Sequence, residues 1–566
     1  MRSVLRILTT GLFVALLCAS ALAQGSQTGA ISGVVTDPQG AVVPGATVDV
    51  INDTTGKAER RVTTGADGGY TAALLPPGTY RLEVTASNFK KTAVTGVGVR
   101  ITETSRQDVT LSVGGVAETV EVQAQETLIN TTSPVTGTAI TAQTLERLPL
   151  ANPNVLFLLS LSAGTASEPT DVRTAGRGTA DINVNGGRTS NNSISLEVVN
   201  VNDFNLAHFD TVPLPNPNVL QEFKVATSLY DATQGSKGGG ALALVIKSGS
   251  KDFHYDLYWT HRNDALNANE WFRNANGLSK RARLLQNVFG GSASGPVPGA
   301  GGFWFFNYQG VRARNGLDPN GSSLSPIVQA FPTNPDGTTS AALLAARFNL
   351  TPAQIDPVAV RILNQADTRY GGQFLVPRVG QGGCGAIRGA NAADPGNFTC
   401  QFSGVAPITD NQYTISYDRF WRGGNEKLTG RWFWDNGAVA KPFGTDTSLA
   451  FPRTDLQKNR FFSTSFTHIF GPSKINELRA GYSRYISAFT PTDPISLQDI
   501  GATRGNSDQF PGMYRVSVTG LFSAGTGVND DRGTVSNQYN LVDTYSWVHD
   551  KHSMRMGGEA VQYQLN

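Results

Sequence analysis

The chain has 566 residues, room for several domains, and 39% of them are hydrophobic. Its formal net charge is only +2, from 46 basic and 44 acidic residues, which gives no electrostatic case for nucleic acid as a partner. Beyond the N-terminus no segment has the roughly 18 consecutive apolar residues of a membrane helix, so membrane insertion would require a β-barrel.

Residues 1–23 have the order of a secretory signal. Arg2 and Arg6 supply the positive end, Leu8–Leu17 the apolar run, and Ala21-Leu22-Ala23 a small-residue cleavage site before Gln24. The apolar run is too short to span a bilayer. Leu17 is too large for the small residue that precedes a lipoprotein cysteine, so Cys18 is not read as a lipid anchor. Cleavage would leave 44 basic residues (46 − 2) against 44 acidic ones.

Residues 28–113 alternate short β-segments with turn signals. AISGVVTD, ATVDVIN, AERRVTT, YTAALL, TYRLEVTA, KKTAVTG and RQDVTLSV are each about strand length. Pro38-Gln39-Gly40, Ala66-Asp67-Gly68-Gly69 and Pro76-Pro77-Gly78 separate them. This spacing predicts a small β-sandwich. Tyr80, Leu82 and Val84 would face its core, with Arg81, Glu83 and Thr85 outside. The run G-V-V-T-D-P-Q-G-A-V-V-P-G-A-T-V at 33–48, then D-G-G-Y at 67–70 and L-P-P-G-T-Y at 75–80, resembles the carboxypeptidase regulatory-like domain, a transthyretin-like or carbohydrate-binding-like sandwich. The segment has no histidine, so a histidine-based zinc site is not expected there.

Residues 114–126 read as an extended linker. Within it, Glu118-Thr119-Val120-Glu121-Val122 resembles the TonB box of outer-membrane receptors. The resemblance implies a strand that a periplasmic energy-coupling partner of the TonB type extends by β-augmentation. A plain connecting strand fits the same residues equally well.

Residues 127–249 mix short helical and strand patterns, an α+β region with few aromatics. Ala142–Leu148 predicts a short helix stopped by Pro149, and Asn154–Leu161 a second apolar turn. Ile182–Arg188 reads as strand plus turn. Gly238-Gly239-Gly240 leads into ALALVIKSGS, a buried strand. These glycines precede a strand, whereas a phosphate loop lies between strand and helix; they are expected to allow tight packing beneath a barrel wall. V-N-G-G-R, L-Q-E-F-K-V and G-G-G-A-L-A-L-V-I-K-S-G-S, in that order, resemble the plug domain of TonB-dependent receptors.

All seven tryptophans lie beyond residue 250. In the same region roughly ten segments alternate with period two, the pattern of an antiparallel transmembrane barrel. Phe253, Tyr255, Leu257 and Trp259 share one face, as do Tyr413, Ile415 and Tyr417, and Leu428, Trp432 and Trp434. F-H-Y-D-L-Y-W and R-N-D-A-L-N-A-N-E-W-F resemble the first barrel strand and exit loop of the Oar-like branch of these receptors. The 315–410 region shows little strand pattern and is expected to be a long extracellular loop. It holds Cys384 and Cys400, which in an exported chain are expected to form a disulfide. A plugged transporter barrel has about 22 strands, so residues 250–566 are expected to hold only the first part of a barrel.

No catalytic constellation is visible. The six histidines have no H-E-x-x-H spacing, and His549-Asp550-Lys551-His552 is expected to span a hairpin turn. No cofactor, metal site or enzyme activity is expected. The expected function is active uptake of a glycan, peptide or metal chelate across a bacterial outer membrane, with the sandwich in the periplasm. The alternative is an outer-membrane adhesion or polymer-binding protein without transport.

Overall fold

The computed structural model describes residues 27–114, 119–124, 136–147, 154–167, 182–197, 199–202, 212–228, 238–269, 271, 274, 281, 283–299, 301–316, 323–324, 327–367, 371–378, 381, 384–386, 397–400, 402–443, 451–492, 495–502, 512–513, 515–518, 522–526, 532–549 and 552–566. The expected signal segment, and Glu118 of the box-like segment, lie outside the described residues.

The N-terminal region folds as two sheets over one core. Its strands are β1 (Gly29–Thr36), β2 (Thr47–Asn52), β3 (Ala58–Thr63), β4 (Gly69–Leu75), β5 (Gly78–Thr85), β6 (Lys91–Val99), β7 (Thr104–Arg106), β8 (Val109–Thr110) and β9 (Thr119–Gln123). One sheet runs β4-β1-β7 with β8 also on β1; the other runs β3-β2-β5-β6-β9. Tyr80, Leu82 and Val84 are fully buried in a cluster with Ile31, Val35 and Val48. Outside, Glu83 pairs with Arg81 at 3.1 Å and Lys91 at 2.6 Å. The turn after β1 closes as its residues dictate. Asp37 Oδ1 accepts the N–H groups of Gln39 and Ala41, and Gly40 takes a φ of +85° that a side chain would resist.

The next region contributes β10 (Thr136–Thr141), β11 (Thr165–Ser167), β12 (Ile182–Val184), β13 (Ser193–Leu196), β14 (Val199–Asn200), β15 (Leu220–Ser228) and β16 (Ala241–Ile246). They form a mixed sheet of order β10-β15-β16-β13-β14, with a two-stranded β11-β12 beside it. The predicted short helix is present at Ala142–Arg147, and the apolar turn is a 3₁₀ helix, Val155–Leu161, capped by Asn154. β16 reads as a continuous apolar run because it is covered on both faces. Leu242, Leu244 and Ile246 join the core of this domain, while Ala243 and Val245 pack on Ile101 of the sandwich. One expectation is corrected. A Cβ on Gly239 or Gly240 would strike Asn191 O or Val184, both inside this domain. The close approach to the barrel wall is made instead by Gly249, against the backbone of Trp304.

From residue 254 onward the chain builds a nine-stranded antiparallel sheet, nine strands where the periodicity suggests roughly ten. Its strands are β17 (His254–Asn263), β18 (Leu284–Val297), β19 (Gly302–Asn315), β27 (Ala406–Trp421), β28 (Glu426–Lys441), β29 (Arg453–Gly471), β30 (Lys474–Pro491), β33 (Arg532–His549) and β34 (His552–Leu565). Short strands β20–β26, within 323–403, and β31 (Val516–Val518) and β32 (Phe522–Ala524) lie in the connections. Neighbours in the sheet follow chain order, up and down, and β17 and β34 are the outermost strands. His549 and His552 face each other across the last hairpin, as expected.

The connections sort by end. At one end they are short: 298–301, 422–425, 472–473 and 550–551. At the other they are long: 264–283, 316–405, 442–452 and 492–531. Outer-membrane barrels have short periplasmic turns and long extracellular loops, which orients this sheet. The expected loop is shorter than its sequence suggests at one end, since β27 already begins at Ala406.

Candidate functional site

The lumen side of the wall is polar and covered. On β27 the residues Asp410, Gln412, Thr414, Ser416 and Asp418 are buried, while Tyr413 and Ile415 on the other face are 41% and 46% exposed. The cover is the plug-like domain. Its segment 212–219, with three prolines, lies along the wall and leaves backbone groups that no sheet can satisfy. Wall amides take them. Asn216 N–H donates to Gln412 Oε1 at 3.1 Å, Gln412 Nε2 donates to Leu214 O at 3.3 Å, and Asn459 Nδ2 donates to Pro213 O at 2.8 Å. Asn216 Nδ2 also donates to Asn307 Oδ1 at 3.1 Å. Phe305, Phe433, Phe461 and Tyr485 point inward from the wall and complete the domain's apolar core.

One ionic cluster crosses the same boundary. Arg431 on β28 donates to Asp418 on β27 at 2.8 Å and lies 3.9 Å from Glu197 of the plug-like domain. Ser248 donates its hydroxyl to Asp418, and Glu197 accepts the N–H of Ile246 at 2.6 Å. Burial pushes the Glu197 carboxyl up, against the pull of Arg431. Charges buried this deeply are tolerated only when paired.

The sandwich docks at the short-turn end. The hinge of the contact is Ile101, whose N–H donates to Glu222 Oε1 at 2.9 Å and whose C=O accepts from Lys224 Nζ at 2.6 Å. Lys224 also pairs with Glu103 at 2.9 Å. Glu222 and Lys224 alternate with Phe223 and Val225 on β15; the apolar pair enters the core and the charged pair meets the sandwich. Burial pushes the Glu222 carboxyl up to about 7, although the Ile101 N–H and Lys224 favour its charged form. Further along, Lys427 at the start of β28 pairs with the buried Glu59 of β3 at 2.8 Å, and Lys251 N–H donates to Thr54 O at 3.0 Å. A cavity between the three parts is lined by Glu59, Arg60, Glu197, Lys427 and Arg431. A sequence pattern can mark Glu222 and Lys224 as polar, but nothing in it says that the polar face is an interface.

The long connections fold together at the opposite end. Leu344, Ile362, Leu375, Phe443, Ile495 and Met513, drawn from three of them, share one apolar cluster. Two helices, Ala341–Phe348 and Pro357–Asn364, sit in the segment expected to be plain loop. A signal for the second was present: Asp356 caps it by accepting Val358 N–H at 2.7 Å, with Pro357 in its first turn. Arg378 is held between the rings of Phe331 and Phe374, 4.4 and 4.3 Å from their centroids, and burial lowers its pKa to about 10. Here Cys384 stands directly opposite Cys400 in an antiparallel strand pair.

The box-like residues lie at the other end. Thr119–Gln123 form β9, which pairs in parallel with β6, from Lys91↔Thr119 to Thr95↔Gln123. β9 is largely exposed and ends the sandwich sheet. The two sites singled out in the sequence are therefore not brought together. One is on the long-loop side of the wall and one on the short-turn side.

A long antiparallel wall with an apolar outer face and a plug-like domain against its polar face is the arrangement of an outer-membrane barrel protein. Residues 245–566 match the outer membrane beta barrel domain family, and the chain belongs to that family. Residues 30–112 match the carboxypeptidase regulatory-like domain. The protein is thus an outer-membrane β-barrel protein with an N-terminal regulatory-like domain. It is similar to the TonB-dependent transporter Oar of Myxococcus xanthus, with 25% identity over 337 residues, 56% of this chain and 30% of that protein. Among solved structures, the outer membrane transporter YddB of Escherichia coli aligns with a TM-score of 0.47 at 10% identity, over 77% of this chain and 50% of that one. The ferric enterobactin receptor of Pseudomonas aeruginosa aligns with a TM-score of 0.41 at 10% identity, over 77% and 49%.

Proposed function

We propose that the protein is a TonB-dependent receptor that takes up a glycan, peptide or metal chelate across the outer membrane. The observation that supports this reading is the domain that lies against the lumen face of the wall. It is held there by amides, one ionic cluster and four inward aromatic side chains, and its polar contacts can be exchanged for water one at a time. The long-loop end, with its own apolar core, presents the ligand surface. The divisions at 28–113, 127–249 and 250–566 serve as sandwich, plug and barrel, and 114–126 as a coupling segment whose strand β9 extends the sandwich sheet. Glu118, Thr119, Val120, Glu121 and Val122 form the coupling segment, of which Thr119–Val122 lie on β9 in the sandwich sheet.

The test is uptake by cells carrying or lacking the protein, using labelled oligosaccharides, peptides and ferric chelates. Accumulation of one class should require the protein and stop when a protonophore collapses the proton gradient. Surface binding that never becomes energy-dependent accumulation would instead mark an adhesin.

We also propose that Cys384 and Cys400 form a disulfide. Directly opposed residues of an antiparallel pair lie at a Cα separation that a disulfide accepts. A non-reduced digest should yield the two peptides linked, and free thiols in exported protein would refute the bond.

A further inference from the structure

β9 is an edge strand with one edge used and one open. Ala124 N–H donates to Thr95 O at 2.9 Å, toward β6. Main-chain groups alternate along a strand, so the N–H groups of Val120 and Val122 also face β6, and those of Thr119, Glu121 and Gln123 face away. Among the described residues nothing pairs with that outer edge. The side chains on the edge are as open as the backbone, with Glu121 and Val122 both exposed.

Resting on the reading that this segment carries energy coupling, we propose that the sandwich is the platform that presents it. The partner is an extended strand of a periplasmic energy-coupling protein. It adds to the outer edge of β9 as the next strand of the β3-β2-β5-β6-β9 sheet, without β9 leaving β6. A free linker would lose conformational entropy on ordering, about 1–2 kcal/mol for each residue fixed. Pairing with β6 has already fixed these five residues. The edge also states what it fits. A strand edge of unpaired N–H and C=O groups is complementary to another strand. Cross-strand neighbours favour an apolar residue beside Val122 and a basic one beside Glu121. Placement agrees, because the sandwich docks at the short-turn, periplasmic end through Ile101 and Glu59. In this arrangement the force on β9 passes first into the sandwich and from there, through Glu222 and Lys224, into the plug.

The experiment uses the full chain in lipid nanodiscs, with the soluble C-terminal domain of the host's TonB-type protein as probe. Thr95→Cys with Gln123→Cys places a disulfide across a registered pair of β6 and β9. Lys91→Cys with Thr119→Cys gives a second lock at the other end of the ladder. The oxidised, locked protein should bind the probe within about threefold of the parent, since the outer edge is untouched. Loss of binding on oxidation, restored by reductant, would show that β9 must be released and would overturn the platform. Failure of both locks to form would refute the β6–β9 register and the proposal with it. Glu121→Pro removes an outward N–H and should weaken binding by about tenfold or more, whereas Val120→Pro, which removes an inward one, should weaken it less. The reverse order would overturn the edge assignment. A parent protein that binds no probe at all would overturn the coupling reading itself.

Discussion

The sandwich and the barrel wall are written with the same period and folded inside out relative to each other. On β5 the apolar residues Tyr80, Leu82 and Val84 are the buried ones. On β27 the buried residues are Thr414, Ser416 and Asp418, and the apolar Tyr413 and Ile415 are outside. Both strands alternate, and both obey the same rule of matching each face to its surroundings. The sandwich has water outside and its own apolar core within. The wall has lipid outside and, within, the plug-like domain that its amides and buried polar residues meet. What differs is the solvent on each face, which the alternation alone does not name.

The largest effect should come from putting a charge on the buried face of the sandwich. Leu82→Asp places an unpaired carboxylate in an apolar core and should cost about 4–5 kcal/mol, enough to unfold the domain. Protease digestion of the full chain should then remove residues 28–113 while the barrel persists. The matching change on the wall, Ile415→Arg, exposes the charge to lipid and should cost about 2–4 kcal/mol in a bilayer near its midplane. Chemical denaturation in lipid vesicles and in detergent distinguishes the two, because only the wall variant should recover in a more hydrated micelle.

The ionic cluster between wall and plug sharpens the contrast. Arg431→Met leaves Asp418 buried without its partner and should destabilise by about 3–5 kcal/mol. Adding Asp418→Asn should recover a good part of that loss, because Asp418 is then neutral and only Glu197, whose burial favours the protonated form, still lacks Arg431. The cycle is read from denaturation midpoints of the single and double variants. A double variant no better than Arg431→Met would mean that packing, not charge, is what Arg431 supplies.

The smallest effect concerns the seam between sandwich and plug, where a carboxylate faces neither lipid nor water. The Glu222 carboxyl is pushed up to about 7 from an ordinary value of 4.5. The docked state therefore binds a proton more tightly than the undocked state between these values. Docking is strongest below about 4.5 and weakens as pH rises through 7, by roughly 3 kcal/mol at most. Glu222→Gln keeps an acceptor for the Ile101 N–H and should abolish this dependence. Thiol labelling of an Ala243→Cys variant reports docking, because that position lies beneath Ile101. Labelling should quicken from pH 5 to pH 8 when Glu222 is present. With Glu222→Gln added, the corrected rate should stay flat across the same range.

Much of the architecture was legible because its signals are local. The D-P-Q-G turn, the L-P-P-G-T-Y strand entry and the alternation of F-H-Y-D-L-Y-W each depend on neighbouring residues. The short elements at 142–147, 155–161 and 182–184 are legible for the same reason. The helix at Pro357–Asn364 is marked only by Asp356-Pro357, a weak signal inside a segment that carries so few strand signals. The glycines at 239 and 240 are close-packed as their sequence suggests, but against Asn191 and Val184 and not the wall. A missing Cβ says that something approaches; it does not say what.

The sequence by itself determined the succession of a sandwich, a mixed region of short helices and strands, and alternating wall strands; it left open that Thr119–Gln123 would join the sandwich as β9. These follow from periodicity, turn residues and composition, all of which are properties of short stretches. Only the tertiary structure decided which polar residues are buried and against what. Glu222 and Lys224 clamp Ile101 more than a hundred positions away in the chain, Arg431 of the wall meets Glu197 of the domain packed against it, and β9 lies on β6. The physical reason is common to all of them. A polar side chain is equally at home in water or opposite a buried partner, so its own sequence position leaves both open, and the choice is made when distant segments arrive.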